Sequence, residues 1–404
     1  MLADRTSLLS VSGTSLARAS AKVASGSGRD IIDLSAGEIS AELPLTIREG
    51  AMDAIRLGIN GYTDPIGLAG LRHALALRVS RETGLAFGVE EIAVTAGAKQ
   101  ALFNAFMILL NPGDEVLLPA PCWSTFAAQI RLAGARAVQI ETRENGYVPQ
   151  LADLENALTP LTRAIVINTP NNPTGAIYDE RTLIDIAELS IACDLWILFD
   201  ECYGAFTHDG IRHRSILSLV PEVRSRTIMV NAFSKSLALT GWRIGYMAAP
   251  ADVISAAKAL QSHTTSNPNV IAQHAVLKYL LEGDVSAEAN LRGQLDAARR
   301  AGLDALSSLK AIRLADAAGG FYFYLDMSEL LQSQEGRFAG RTADDVAAAL
   351  LREAGVVVVS GTVFGDPAGL RLSYGLAPER VRAGCDRLVA FFEPPQGSSS
   401  LEDL

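Results

Sequence analysis

The sequence predicts an α/β protein with a mainly parallel sheet, followed by a smaller α+β region. Three observations carry this. Between Glu91 and Ala248, short strand-like runs alternate with helical stretches, a spacing suited to a parallel sheet with helices on both faces. After about Glu282 that alternation stops, and a long helical stretch precedes strands and helices in a different pattern. The 404 residues are 49% hydrophobic and 20% charged. That is enough for a sizeable core, and it suits two or three domains, or one large domain with a smaller one attached.

Taken in order, Ser15 to Val23 reads as a short helix ended by Gly26-Ser27-Gly28, and Ile31 to Leu34 as a short strand. Helices follow at Leu45 to Leu57 and Leu68 to Val79. Strands are expected at Glu91–Thr95, Glu115–Leu118, Ala137–Glu141, Ala164–Asn168, Leu195–Phe199, Thr227–Val230 and Ile244–Ala248. The helices between them are Gln100–Leu110, Trp123–Leu132, Leu151–Leu158 and Arg181–Ala192. The later part offers a long helix at Ala287–Leu309 and strands near Ile312 and at Phe321–Leu325, Val356–Val359 and Leu370–Ser373. It also offers helices at Asp344–Glu353 and Glu379–Phe392. From Pro394 on, Pro, Gly, Ser and acidic residues predict disorder. No internal repeat is apparent.

A formal net charge of −10 argues against nucleic acid as a partner. The four cysteines (Cys122, Cys193, Cys202, Cys385) form no Cys-x-x-Cys, and the five histidines have no metal spacing, so neither a disulfide framework nor a metal is expected. No apolar run is long enough for a membrane span, and the N-terminus lacks the apolar core of a secretory signal. Its Ser- and Arg-containing composition fits a transit peptide loosely. The expectation is a cytoplasmic protein whose N-terminal helix joins the fold.

The chemistry centres on Asn231-Ala232-Phe233-Ser234-Lys235 and the following Gly241-Trp242-Arg243-Ile244-Gly245-Tyr246. A lysine among small and apolar residues after a strand loses its proton more easily, because burial disfavours the charged form. A neutral lysine forms a Schiff base with a carbonyl. Arg243, eight residues on, is a fixed cation with a planar fork of donors suited to phosphate. An aldehyde joined to a phosphate describes pyridoxal 5′-phosphate (PLP).

Other stretches supply matching parts. Asp200 ends an apolar strand, with Tyr203 three residues on. A carboxylate there either caps a turn or pairs with a protonated pyridine nitrogen. In Asn168-Thr169-Pro170-Asn171-Asn172-Pro173-Thr174-Gly175, two prolines fix the backbone and Asn172 offers an amide donor to a phenolate oxygen. Gly97-Ala98-Lys99 lies between strand and helix, where backbone N–H groups favour phosphate. There is no Walker A loop and no Gly-x-Gly-x-x-Gly fingerprint. Trp123 is either plain core or a ring that stacks on the cofactor. Arg371, a charge in an apolar strand, is either half of a structural salt bridge or a clamp for a carboxylate.

In this order the motifs resemble the class I/II aminotransferases of PLP fold type I, the aspartate aminotransferase family, from about Ile31 to about Phe392. The resemblance implies a mainly parallel seven-stranded sheet in a large domain plus a smaller α+β domain. The expected boundaries are an N-terminal segment 1–45 joining the small domain, a PLP-binding domain 46–285, a small domain 286–393 and a tail 394–404. Lys235 would form the Schiff base and move the proton. Asp200 would bind the pyridine nitrogen, with Tyr203 and Asn172 on the ring oxygen. Arg243, Ser234 and the Gly97-Ala98-Lys99 amides would hold the phosphate, and Trp123 would stack on the ring. Arg371 would take the substrate α-carboxylate, and Gly37 would line the substrate mouth. Tyr62, in Gly61-Tyr62-Thr63-Asp64, would reach the phosphate of a neighbouring subunit, which implies a homodimer with shared active sites.

The implied reaction is ping-pong transfer of an amino group between an amino acid and a 2-oxo acid. Lys99 matches a lysine that, in one bacterial subgroup, faces the distal carboxylate of the substrate. Aspartate or glutamate, with 2-oxoglutarate as acceptor, is therefore the expected pair. Two departures stand out: Ala232 replaces a frequent serine, and the mouth reads Gly37-Glu38-Ile39-Ser40-Ala41 where the family commonly has Gly-Glu-Pro-Asp-Phe. The altered mouth keeps open a lyase or an aminotransferase for another amino acid. A PLP-binding regulator without turnover is a further alternative. It would need a DNA-binding domain, for which only about thirty residues precede the fold in an acidic chain.

Overall fold

The computed structural model describes residues 2–393 except Leu9, Ser10, Ser27, Asp284, Val285, Ala311, Gln334 and Glu335. The tail expected from Pro394 on lies outside the described residues. Strands run in chain order as β1 (Ile32–Asp33), β2 (Ile92–Thr95), β3 (Glu115–Ala120), β4 (Arg136–Glu141), β5 (Thr162–Asn168), β6 (Trp196–Asp200) and β7 (Thr227–Ala232). They continue as β8 (Gly245–Ala248), β9 (Arg313–Leu314), β10 (Tyr322–Asp326), β11 (Val356–Val357), β12 (Val359–Ser360) and β13 (Gly369–Ser373).

The chain forms two compact units. The larger comprises residues 1–10, 41–292 and 318–320; the smaller comprises 11–40, 293–317 and 321–404. One of the chain's passages between them falls inside the helix Ser286–Leu306.

The larger unit holds a seven-stranded sheet in the order β2-β8-β7-β6-β5-β3-β4. β8 is antiparallel to both its neighbours, β2 and β7, and every other pairing is parallel. The expected α/β architecture with a mainly parallel seven-stranded sheet is therefore present. Strand residues alternate between faces, and both faces are covered. Ile165, Ile167, Ile197, Phe199 and Met229 join one apolar cluster with Leu75, Val79, Leu183, Ile186 and Val276 of the helices Ala69–Thr83, Glu180–Ala192 and Val270–Glu282. Their alternates Val166, Leu198, Ile228 and Val230 are buried too, as in sheets sandwiched between helix layers.

Two helices of this unit have no counterpart in the sequence reading, Ala251–Thr264 and Val270–Glu282. The first buries Val253, Ile254, Ala257 and a glutamine, Gln261. That amide is satisfied inside: it accepts from Asn104 at 2.9 Å and donates to the carbonyls of Pro65 and Val94 at 2.6 and 3.1 Å. A polar residue on the inner face hides the apolar period.

In the smaller unit, β12-β13-β10-β9 form an antiparallel sheet, and β1 pairs in parallel with β11. The single strand expected over Val356–Val359 is two strands in two different sheets. A continuous run of valines is apolar throughout and carries no mark of where the chain changes partner. The helix expected over Asp344–Glu353 is Ala343–Ala349, continued by a wider π-helical turn at Leu350–Ala354. Among the described residues, no helix is long and apolar enough to cross a membrane. Nor, among them, do three or more His, Cys, Asp or Glu side chains form a group able to hold a metal.

Candidate active site

Strand polarity gathers the site residues of the larger unit. β2, β3, β5, β6 and β7 end on one edge of the sheet, and antiparallel β8 begins there. Gly97 follows β2, Trp123 follows β3, Asn172 follows β5, Asp200 ends β6, and Lys235 follows β7. Arg243 lies just before β8, so the one reversed strand delivers it to the same edge. Ligands of open α/β sheets bind beyond this carboxyl edge.

At the β2 end, Gly97 adopts φ +78° and caps the helix Ala98–Leu109. A Cβ there would lie 2.6 Å from Arg243 Nη2, so glycine lets the guanidinium close on the turn. Arg243 itself has φ 54°. Its Nη1 donates to Thr240 O at 2.9 Å and its Nη2 to Ala96 O at 3.0 Å. Gly245 makes the approach of β8 possible, since a Cβ at that position would meet the Gly97 carbonyl carbon at 2.8 Å and Ala98 N at 2.9 Å. The Lys99 Nζ sits 4.9 Å from the Trp123 ring centre, and that ring packs edge-on against Phe126. Burial, then the nearby Arg243 charge, pull the Lys99 pKa down. Two cations, a helix N-terminus and an indole thus occupy one corner, a donor set for an anion beside a flat ring.

At the centre, Asn168 and Asp200 face each other across the β5–β6 register. Asn168 Nδ2 donates to Asp200 O at 3.3 Å, and its Oδ1 accepts from Asn172 N at 2.9 Å. The loop beyond β5 is tied internally: Asn171 Oδ1 accepts from the Thr174 amide at 3.2 Å and hydroxyl at 2.9 Å. Asp200 is 3% exposed, and its Oδ1 accepts from Cys202 N at 3.0 Å. Burial pushes its pKa up to about 6, the bond from Cys202 opposes the rise, Glu201 adds to it and Lys235 lowers it. Lys235, on the short helix Phe233–Ser236, therefore acts electrostatically on Asp200. Ser234 and Tyr203 are buried. Tyr62 stands apart from all of these in its exposure, which is 92%.

The remaining two candidates lie in the smaller unit and meet there. Arg371, in the middle of β13, is 2% exposed. Its Nη2 donates to Ser35 O at 2.8 Å, and its guanidinium carbon lies 4.3 Å from the Tyr322 ring centre and 5.0 Å from that of Phe364. A Cβ at Gly37 would be 3.2 Å from the Tyr322 hydroxyl, so Gly37 and Arg371 share one tyrosine.

Sequence reasoning passed over Tyr322, Ser35, Glu201 and His213. Glu201 adjoins Asp200, so its position was legible without its role. His213 lies in an irregular stretch with no periodicity to mark it.

The family described as aminotransferase class I and II matches residues 29–388. An aspartate aminotransferase of Bacillus sp. (strain YM-2) is 36% identical over 97% of this chain and 99% of its own. An aspartate/prephenate aminotransferase of Thermus thermophilus is 38% identical over 96% and 98%. The structure of Thermus thermophilus aspartate aminotransferase with maleate superposes with a TM-score of 0.87 at 36% identity, covering 96% of this chain and 98% of that one. The chain belongs to the class I and II aminotransferases. It is a transaminase of fold type I.

Proposed function

We propose that this enzyme binds PLP at the carboxyl edge of its large sheet and transfers the amino group of a dicarboxylic amino acid, aspartate or glutamate, to a 2-oxo acid such as 2-oxoglutarate. The observation that carries the cofactor reading is the buried Asp200 carboxylate, felt by Lys235, on the same sheet edge as the anion-binding corner at Gly97, Lys99 and Arg243. A carboxylate, an amine and a phosphate cradle fit the three polar ends of PLP.

When bound, PLP supplies an electron sink for the pair left at the substrate Cα. The chain's residues do the rest. Asp200, ionised above about pH 6, keeps the ring nitrogen protonated. Tyr203 and Asn172 hold the ring oxygen, and Trp123 covers a ring face. Ser234, Arg243 and the amides from Gly97 to Lys99 hold the phosphate. The Lys235 amine would take the proton from the substrate Cα and hold it for delivery two atoms away, across the amino nitrogen. Arg371 binds the substrate α-carboxylate beside Gly37. Each catalytic turn is ping-pong, with the amino acid leaving as its oxo acid before the second oxo acid enters.

The dicarboxylate reading rests on Lys99, an exposed cation whose ammonium lies over the Trp123 ring. Relatives named for aspartate, and a related structure holding maleate, support it. A homodimer is part of the proposal. Leu45, Met52 and Ile55 expose one face of the helix Leu45–Arg56, and Leu57 and Tyr62 are exposed beyond it, an apolar surface of the kind that marks association. The free thiols of Cys122, Cys193, Cys202 and Cys385 suit a cytoplasmic setting.

The test is absorbance of the purified enzyme with each amino acid in turn. Aspartate and glutamate should convert the cofactor spectrum, and borohydride should fix the cofactor to the Lys235 peptide. Lys99→Ala should weaken aspartate turnover by roughly 1.5–3 kcal/mol, the range for a charged hydrogen bond, with alanine much less affected. An enzyme that ignores both acidic amino acids but converts another would overturn the substrate and leave the cofactor reading intact.

A further inference from the structure

The turn after β6 carries two acids in succession, Asp200 and Glu201, and both are buried. Its backbone is closed by bonds from Glu201 N to Val230 O at 3.0 Å, Gly204 N to Glu201 O at 2.8 Å and Phe206 N to Tyr203 O at 2.8 Å. One side chain from outside the turn touches it on three sides. His213 Nε2 donates to Glu201 Oε1 at 2.6 Å. Its ring stacks on Phe199, the residue before Asp200, with planes 18° apart and centres at 6.2 Å. A Cβ at residue 204 would lie 2.8 Å from His213 Cδ2, so Gly204 leaves room for the imidazole just past Tyr203.

Resting on the reading of Asp200 as the partner of the ring nitrogen, we propose that His213 is a positioning residue for the cofactor. Its ring compensates the Glu201 carboxylate and holds the Asp200–Tyr203 turn in the shape that receives the pyridine ring.

The surrounding charges show why such a partner is needed. Arg78 bonds Glu82 at 2.8 Å and Glu288 at 3.0 Å, so its charge faces two carboxylates. Burial holds the Glu82 carboxyl above its usual range; Arg78 opposes this and Glu201 adds to it. Tyr246 lies in the same field, its pKa raised first by burial and then by Glu82. Glu201 thus acts on Asp200 at the site and also on Glu82 and Tyr246. Without a donor, a buried carboxylate carries its full desolvation cost. Relieving that cost distorts the turn, and the turn holds both Asp200 and Tyr203.

The test measures PLP affinity by equilibrium dialysis at neutral pH, with Tm beside it, for the intact enzyme and four variants. His213→Leu should weaken PLP binding about tenfold or more. His213→Gln, which keeps an N–H donor, should stay within about threefold of the parent. Glu201→Gln removes the neighbouring charge, so the acid limb of PLP binding should move to lower pH as Asp200 ionises more readily. In the double variant Glu201→Gln, His213→Leu there is no charge left to compensate, and affinity should return to within about threefold of Glu201→Gln.

A double variant as weak as His213→Leu, or a His213→Leu protein with parental affinity and only a lower Tm, would overturn the proposal. If His213→Leu does not fold, the Glu201→Gln pH profile decides: no downward movement, or a loss of tenfold or more in affinity, counts against it. A parent enzyme that binds no PLP would sink the cofactor reading of the site instead.

Discussion

Asp200 shows how one side chain links stability to function. Its pKa rises from 3.8 to about 6 in the folded chain, mainly through burial. Between those values the native state holds a proton that the unfolded state has released. Folding stability of the cofactor-free protein should therefore fall as pH rises from about 4 to about 6, by about 3 kcal/mol from this group. Asp200→Asn should remove that part of the pH dependence, read as the difference between parent and variant in urea unfolding of the cofactor-free forms. The same substitution should cut turnover at least ~100-fold, because the amide does not keep the ring nitrogen protonated. An unchanged pH dependence, or near-normal turnover, would refute the respective role. The strand-end position of Asp200 was legible in its apolar run. Its elevated pKa was not, because that depends on burial in the folded chain, with Glu201 adding to the rise and Cys202 and Lys235 opposing it.

At the scale of elements, the reversal of β8 decides where Arg243 goes. Eight residues separate Lys235 from Arg243 in the chain. The short helix Phe233–Ser236 and the Thr240–Trp242 helical turn keep the chain at the edge where β7 ends, and antiparallel β8 starts from that same edge just after the arginine. The packing tolerance is small, because a Cβ at Gly245 would meet backbone atoms of Gly97, Ala98 and Asn231 at 2.8–2.9 Å. Gly245→Ala should cost roughly 1–3 kcal/mol of stability, as overpacking does, and should weaken PLP binding by displacing the Gly97 turn. Gly241→Ala is the control, since a Cβ there meets nothing within 4 Å. Differential scanning calorimetry and PLP titration of the two variants separate the cases; equal behaviour would contradict the close approach. The element types of β2 through β8 were readable from apolar runs between turn residues. The division of Val356–Ser360 between two sheets was not, since Val356 to Val359 is an unbroken valine run and only the partners of its two ends differ.

For the whole molecule, Tyr62 is the residue whose surroundings a single chain leaves open. It is 92% exposed, and Leu57, five residues earlier, is exposed too. If it serves the site of a second subunit, Lys235→Ala and Tyr62→Ala chains, each inactive alone, should regain activity when mixed and allowed to exchange. One hybrid site then has both an intact lysine and an intact tyrosine. Sedimentation of the active species should show a dimer; a monomer fully active at all concentrations would contradict the shared site.

By itself the sequence determined the α/β class, the order of the large-unit strands along the chain and the identity of the chemical groups. These follow from local apolar patterning and from residue types that few other chemistries need together. Tertiary structure alone decided which strand is reversed, that Gly97 and Gly245 admit Arg243 to the anion corner, and that Gly37 and Arg371 meet at Tyr322. It also decided that His213 answers Glu201. Each is a close approach between residues distant in sequence, or a charge whose cost is set by burial. Neither leaves a periodic mark on the chain, because distance and desolvation exist only once the chain has folded.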